Sequence, residues 1–338
     1  MTSSRQVCRL KRQTIRRGAS LAIVATALIL ALFSGCKGTK SEPPVRFDDP
    51  ASRKLLRISY YGAAYGKGDS LLSYPLAVEI GRDGVVYVAD QTKSRVKAFA
   101  QEDGKFLFAF NKTYPGRRLS LPSFLAVNPV DGNVFVSDWY DKALYEFTAK
   151  GKFVREIAAP KKIGKSWAPT AITFDKSGNL YVVDVSKEHR VAGFKGADRL
   201  RLLFGRYGKA KSVQDKPGSL WFPAGIEVAP NGWIFVSDSL NRRLQVFDEA
   251  GKHRDTIPTG GMPRGIALGP NSMIFVTDAS GQRLLVFSPT GEMLKSFGHE
   301  GYKAGQFDFP NDVAVDVKNG LVFVADRDNR RVQAWRGK

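Results

Sequence analysis

The sequence predicts an all-β fold, a six-bladed β-propeller of four-stranded antiparallel blades, closed by an N-terminal strand in the last blade. Three observations predict it: one phrase of residues recurs six times, glycine turns recur inside each copy, and the last copy lacks its final strand. The chain has 338 residues, of which 33 are Gly and 43% are hydrophobic. That much apolar surface can build a core, which excludes a wholly disordered chain.

The recurring phrase consists of a Pro, a short apolar run, a turn and an apolar triplet that ends in Asp. Pro and Asp are 15 or 16 residues apart in every copy, and successive Asp residues are 40 to 54 apart. A period of this length is typical of propeller blades. The six strand-end residues are Asp90, Asp138, Asp184, Asp238, Asp278 and Asp326.

Each copy has the pattern of short antiparallel strands. In the first copy, residues 76–80 and 85–89 are apolar, and Asp83-Gly84 between them is a hairpin signal. A third strand with an aromatic residue follows at 96–99, and then a second turn at Asp103-Gly104. A fourth strand after that turn completes the pattern of one blade.

The two ends of the repeat region complement each other. The sixth copy stops after its third strand, whereas residues 55–61 have the pattern of a fourth strand without partners. An open blade would expose unpaired strand edges. We therefore expect residues 55–61 to form the outer strand of blade six, within a propeller domain that spans 53–338.

Two of the copies resemble a known repeat. Residues 278–287 and 326–335, with the linker 297–310, resemble the NHL repeat, and the resemblance covers roughly 55–338. It implies a six-bladed propeller, and similar proteins act as platforms for protein or RNA interaction. Some six-bladed relatives are enzymes, namely lactonases and amidating or streptogramin lyases, which use a metal near the central channel.

The first 35 residues have the pattern of an export signal. Six bases and no acid precede Ala19, and fifteen mostly apolar residues then extend to Phe33. A helix of this length reaches ~22 Å, which is short of the ~30 Å hydrocarbon core of a membrane. Residues 32–36 resemble the lipobox of bacterial lipoproteins, which implies cleavage after residue 35 and lipidation of Cys36. An uncleaved anchor with an incidental Cys is the alternative.

The predicted mature chain begins at Cys36 and continues as a flexible tether to residue 52. Its net charge is +14, from 46 Lys and Arg against 32 Asp and Glu. Lipid on Cys36 predicts a protein anchored to the cell envelope. Lys37 is not the Asp that marks inner-membrane retention in enteric bacteria, which favours the outer membrane in a Gram-negative source. We predict a monomer without a cofactor.

The six Asp residues are interpreted as structural, because a catalytic site would break the symmetry of the repeats. A strand-end Asp can accept backbone N–H bonds in the loop that follows it. An Arg five or six residues later can pair with an Asp of the same blade or of the next one. A catalytic or metal-binding ring is the alternative. In the second copy Ala143 takes the place of this Arg. The predicted Arg partners are Arg95, Arg190, Arg243, Arg283 and Arg331.

The sequence offers little for a metal site, and we predict neither metal ligands nor catalytic residues. The three His of the chain have different places in their repeats: His189, His253 and His299. We expect Glu79 and Glu227 to be the only acids within the innermost strands, apart from the strand-end Asp175 and Asp316. They are interpreted as channel-lining acids in contact with water or bases, with a calcium site as the alternative.

Antiparallel order divides the loops between two faces. The Gly turns lie on one face, called the bottom, and the Asp-to-Arg loops and blade connections lie on the other, called the top. The top connections are longer and more varied, so we expect function there. Their bases and aromatics suit an anionic, partly planar partner, with a solvated basic surface as the alternative. The candidate binding residues are Tyr114, Arg117, Arg118, Trp139, Tyr140, Lys161, Lys162, Lys165, Arg206, Tyr207, Lys209 and Lys211.

The leading functional hypothesis is a lipid-anchored, non-enzymatic propeller. It would bind an acidic envelope protein or polysaccharide on its basic top face. No nucleic acid is expected for an exported protein. The rival hypothesis is a metal-dependent lactonase or lyase, and a third is a structural envelope protein without a ligand.

Overall fold

A computed structural model describes residues 59–64, 68–114 and 116–337. The predicted signal peptide 1–35, Cys36, the tether to residue 52 and residues 53–58 lie outside the described residues. None of the helices in the described ranges is long or apolar enough to cross a membrane. The helical segments found there are short 3-10 turns: Gly68–Ser70, Gln91–Lys93, Gly164–Ser166, Ser239–Asn241 and Pro270–Ser272.

Six four-stranded antiparallel sheets confirm the predicted six-bladed propeller. The first strand, β1 (Ser59–Ala64), belongs to blade six. Blade one contains β2 (Pro75–Ile80), β3 (Val85–Asp90), β4 (Arg95–Ala100) and β5 (Phe106–Phe110). Blade two contains β6 (Pro122–Val127), β7 (Val134–Asp138), β8 (Ala143–Phe147) and β9 (Phe153–Ile157). Blade three contains β10 (Pro169–Phe174), β11 (Leu180–Asp184), β12 (Arg190–Lys195) and β13 (Arg199–Phe204).

The remaining blades follow after a longer connection. That connection contains a two-stranded parallel pair, β14 (Arg206–Tyr207) and β15 (Ser219–Leu220). Blade four contains β16 (Pro223–Val228), β17 (Ile234–Asp238), β18 (Arg243–Phe247) and β19 (His253–Pro258). Blade five contains β20 (Pro263–Leu268), β21 (Ile274–Asp278), β22 (Arg283–Phe287) and β23 (Met293–Phe297). Blade six contains β24 (Pro310–Asp316), β25 (Leu321–Asp326), β26 (Arg331–Arg336) and β1.

The core lies between adjacent blades. The second strands β7, β11, β17, β21 and β25 are buried along their whole length, because each packs against a neighbouring blade on both faces. Aromatic side chains fill the space between blades, as where the rings of Phe110 and Phe147 lie 4.8 Å apart. Gly151 is required beside them, since its φ is +76° and a Cβ there would lie 2.4 Å from the Phe110 ring.

The N-terminal strand closes the ring as predicted. Strand β1 pairs antiparallel with β26, so that Ser59 faces Arg336 and Ala64 faces Val332. The strand ends at Ala64 and not at residue 61, because a register shift between Tyr60 and Gly62 lets pairing continue to the top of β26. Arg336 lies at the bottom end of β26. The chain therefore enters β1 from the bottom edge of blade six.

Candidate functional site

The strand-end Asp residues hold each blade to the connection that precedes it. All six carboxylates are fully buried. Asp138 accepts hydrogen bonds from the backbone N–H groups of Ser120 and Leu121, at 2.7 and 3.0 Å. Asp238 likewise accepts one from Trp221 N–H at 2.6 Å. These oxygens accept hydrogen bonds from backbone N–H groups, so the strand-end carboxylates have a structural role in the propeller.

In four blades an Arg of the same blade pairs with this Asp. The Nε–O distances are 3.0 Å for Arg190–Asp184, 2.8 Å for Arg243–Asp238, 3.0 Å for Arg283–Asp278 and 2.7 Å for Arg331–Asp326. Blade one differs from the expectation for Arg95. There the Lys97 ammonium lies 2.6 Å from Asp90, whereas Arg95 Nε donates to the Lys93 carbonyl. Lys97 can replace Arg95 because residues two apart on a strand share a face.

Exposed aromatic side chains gather on the top face. Among the described residues this face carries Tyr114, Trp139, Tyr140, Tyr207, Phe222 and Tyr302, whereas Trp233 lies on the bottom. Exposed bases of the top connections accompany them: Arg117, Arg118, Lys161, Lys162, Arg206, Lys209 and Lys211. The Lys165 side chain lies outside the described part.

The candidate top-face residues divide between the rim and the central channel. Tyr114 lies on the rim, where its OH donates to Glu156 at 2.8 Å and its ring packs on Phe153. Tyr207 lies nearer the channel, because its ring packs on His189, which in turn packs on Phe222. The ring centroid of His189 lies 5.1 Å from that of Tyr207 and 5.4 Å from that of Phe222. The structure therefore does not bring the whole candidate set together.

Trp139 and Phe222 line a cavity of about 370 Å³ at the top mouth of the central channel. Most of its lining is apolar, and the polar contributions include Ser123 and Thr170. Arg264 is the one base that lines it among the described residues. Arg264 is not among the residues predicted from the sequence. The signal that could have found it is a charged residue directly after the repeat Pro, where the other copies have Leu, Ser, Thr, Ala or Asn.

Three carboxyl groups line the channel farther toward the bottom face. Besides Glu79 and Glu227, Asp312 lies on an innermost strand, so the expectation of only two acids there was wrong. Burial raises the pKa of Glu79 to about 7, of Glu227 to about 8 and of Asp312 to about 8, and neighbouring carboxylates add to the last two shifts. Gly265 provides the room for Asp312, because a Cβ there would lie 2.2 Å from its Oδ1.

These acids contact protein donors. Asp312 Oδ2 accepts from Val78 N–H at 3.0 Å, and Glu227 Oε2 accepts from the Thr173 hydroxyl at 3.1 Å. No group of three or more His, Cys, Asp or Glu side chains in the described ranges is arranged to hold a metal ion. The His residues have separate contacts: His189 with Phe222 N–H, His253 with Thr256 and His299 with Gln306.

The raised pKa of Glu227 predicts a pH-dependent stability. A carboxyl that holds its proton more tightly when folded contributes stability that is present below its unfolded pKa of 4.5 and is lost as the pH rises toward about 8. Glu227→Gln removes the charge and keeps an acceptor for Thr173. At about pH 8 we expect the free energy of unfolding of this variant to exceed that of the wild type by about 1–2 kcal/mol. Near pH 4 the two should be equal.

Urea unfolding across this pH range measures the difference. Glu249→Gln, on an exposed bottom turn, is the matched control and should behave as the wild type. A constant difference between Glu227→Gln and the wild type at every pH would contradict a buried, protonated Glu227.

Comparison with known proteins agrees with the repeat. The NHL repeat family model matches residues 307–335, which cover β24 to β26 of blade six almost completely. The chain is 26% identical over 178 residues to NHL repeat-containing protein 3 of Mus musculus, a match that covers 49% of each protein. The chain thus spans about half the length of this relative.

Two solved structures share the fold. A streptogramin B lyase structure superposes with a TM-score of 0.59 at 14% identity, covering 84% of this chain and 99% of that one. A gluconolactonase from Xanthomonas campestris gives a TM-score of 0.60 at 13% identity, covering 79% and 87%. At these identities the similarity shows the propeller fold alone.

Proposed function

We propose that this protein is a non-enzymatic binding propeller that captures an acidic protein or polysaccharide on its top face. The observation that carries the proposal is the gathering of exposed aromatic side chains on the same face as exposed bases. Aromatic rings and bases together suit partners that are anionic and partly planar. The occupied strand-end carboxylates and the similarity to an NHL repeat-containing protein also favour a binding role.

The basic residues act on the partner collectively. An exposed charge is screened over a Debye length of roughly 8 Å at physiological salt, and one exposed ion pair contributes at most about 1 kcal/mol. Several bases on one face raise the local concentration of an acidic partner and speed its association. Binding should therefore weaken as salt is added.

A charge-reversal experiment tests this proposal. Changing Arg117, Arg118, Lys161 and Lys162 to Glu should weaken capture from an envelope extract at low salt by about tenfold or more, since the top face loses its attraction for acids. The matched control reverses four exposed bottom-face bases: Lys105, Lys150, Lys152 and Lys252. Retained partner is measured by quantitative pulldown. Equal loss in both variants would mean that only net charge matters, and no loss in either would refute a basic binding face.

We further propose that Cys36 carries lipid and anchors the protein in a bacterial envelope, in the outer membrane if the source is Gram-negative. The first described residue of the propeller lies at the bottom of blade six. Ser59 pairs with Arg336, and Gly337 N–H donates to the carbonyl of Gly320 in a bottom turn. The described chain therefore begins at the bottom edge of blade six, on the face opposite to the proposed binding residues.

Cys36→Ser tests the anchor. We expect the variant to move from the washed membrane fraction to the soluble fraction with an unchanged melting temperature, because the residue precedes the propeller. Lys37→Ser is the control and should stay with the membranes. Persistence of the Cys36→Ser protein in washed membranes would refute lipidation as the anchor.

The alternative is a metal-dependent lactonase or lyase. The three carboxyl groups of the channel are the observation that favours it. Elemental analysis of the purified protein separates the two proposals, since a binding propeller should contain metal well below one equivalent. One tightly bound ion per chain would favour the enzyme.

A further inference from the structure

We infer that the top-face cavity binds the terminal carboxylate of a partner polypeptide, with Arg264 as its counter-ion and Trp139 and Phe222 as walls for the last side chain. This inference rests on the proposed function, because it names how a partner is anchored on the top face. It concerns a residue of the channel mouth and not the bases of the blade connections.

No ion pair joins Arg264 to an acid among the described residues. Its Nε donates to Asn311 Oδ1 at 3.1 Å, and this is the single hydrogen bond of its side chain within the described part of the chain. Asp312, farther along the channel, attracts Arg264 electrostatically but accepts no hydrogen bond from it within the described part of the chain. Burial, and then the charge of Arg327, lower the pKa of Arg264 to about 10. A poorly solvated charge of this kind is strongly stabilised by an anion.

The position of the Arg264 side chain is set by protein contacts. Asn311 is fully buried, and its amide donates to the Leu76 carbonyl at 2.5 Å, so that its Oδ1 is left to accept from Arg264. The two terminal amino groups of Arg264 then have no further hydrogen bond among the described residues. Two parallel N–H donors match the two oxygens of a carboxylate.

Arg327 contributes charge but is already engaged. Its guanidinium lies 3.3 Å from the Phe309 ring centroid and 4.9 Å from that of Tyr74, and it pairs with Asp328 at 2.8 Å. Arg264 is therefore the base that remains for a ligand in the cavity.

The walls suit an apolar or aromatic side chain. Trp139 and Phe222 are each 43% exposed although both are large apolar residues. Phe222 has φ +52°, in the left-handed region that a bulky residue rarely occupies. Its N–H is held by His189 Nδ1 at 3.2 Å. This contact fixes the backbone that presents the Phe222 ring to the cavity.

The size of the cavity favours the end of a chain. A volume of about 370 Å³ lies at the small end of ligand sites. It can hold one or two residues, and the rest of an acidic chain would leave over the exposed bases of the top connections. A carboxylate and its apolar side chain fit inside, whereas a folded surface does not.

Paired peptides test the inference. Hexapeptides with acidic residues at the first four positions and every amino acid in turn at the last are prepared as free acids and as C-terminal amides. Fluorescence anisotropy on the full-length wild-type protein should show at least one apolar free acid that binds about tenfold or more tightly than its amide, a difference of 1.4 kcal/mol. Arg264→Gln should remove this preference. If no free acid exceeds its amide up to about 1 mM, the inference is overturned.

Two further variants separate the possible failures. Trp139→Ala should weaken the free acid and the amide alike, because it changes the wall and not the charge. The top-face variant of Arg117, Arg118, Lys161 and Lys162 should also weaken both forms while the preference for the acid remains. Loss of binding in that variant without any acid preference in the wild type would leave the proposed function standing and refute the role of Arg264.

A small carboxylate, 3-phenylpropionate, is the competitor. The labelled best peptide is displaced either by its own unlabelled form or by this acid. The acid should need a concentration about tenfold or more higher, since it lacks contacts outside the cavity. Equal displacement would show that a free small acid occupies the site and would overturn the chain-terminus assignment. Melting temperatures show that each variant is folded, and Arg264→Lys should retain part of the preference because it keeps the charge.

Discussion

Arg243→Met is expected to lower the free energy of unfolding by about 3–5 kcal/mol, because it leaves a buried Asp without its base. The Arg243 side chain is fully buried, and its Nε lies 2.8 Å from Asp238 Oδ2. Its terminal amino groups donate to four backbone carbonyls of the connection between blades three and four. These acceptors are Val213 and Asp215 at 2.6 Å, Ser219 at 2.9 Å and Lys216 at 3.3 Å.

The matched control has the same position in blade five. Arg283 also pairs with its Asp, at 3.0 Å from Asp278, but its side chain is 36% exposed. Arg283→Met also leaves a buried Asp, but Asp278 keeps the N–H donors of Met262 and Gly281 and the connection loses no backbone contacts, so we expect a smaller loss of about 1–2 kcal/mol. Urea unfolding of the two variants measures the contrast. Equal losses would show that burial and the backbone contacts of Arg243 contribute nothing beyond the ion pair.

Removal of the chain through residue 64 is expected to destabilise the propeller by several kcal/mol. The truncation takes away β1 and leaves the outer edge of β26 unpaired in blade six. Loss of a whole paired strand removes all its ladder hydrogen bonds at once, and an unpaired edge also promotes aggregation. Truncation at residue 50 keeps β1 whole and should melt as the full chain does. An unchanged melting temperature without β1 would contradict closure of the ring by this strand.

The fold could be predicted from the sequence because its signals are local and repeated six times. Each repeat Pro begins an innermost strand and each repeat Asp ends the next strand, as in Pro75–Ile80 and Val85–Asp90. The outer strand of blade six was predicted to end three residues early, at 61 and not at Ala64, because a lone strand has no neighbouring turn that marks its ends. Its register depends on pairing with β26, which is distant in sequence.

The channel residues could not be predicted in the same way. Arg264 and Asp312 each occur in one copy, and their chemistry arises because strands of different blades converge around the channel. An alignment of the six copies would have shown that each of the two residues differs from those of the other five copies at its position. Tyr114 shows the opposite case: the sequence placed it correctly on the top, but only packing against Phe153 shows that it belongs to the rim.

A photo-crosslinking pair tests the central claim, that the top face is the partner-binding face, most directly. Benzoylphenylalanine is introduced in place of Tyr140, which is 73% exposed on the top, or of Trp233, which is 39% exposed on the bottom. Irradiation of cells that express each variant is followed by separation of the covalent products. We predict a discrete higher-mass species from position 140 and none from position 233. A species from position 233 alone, or the same species from both positions, would contradict a top-face binding site.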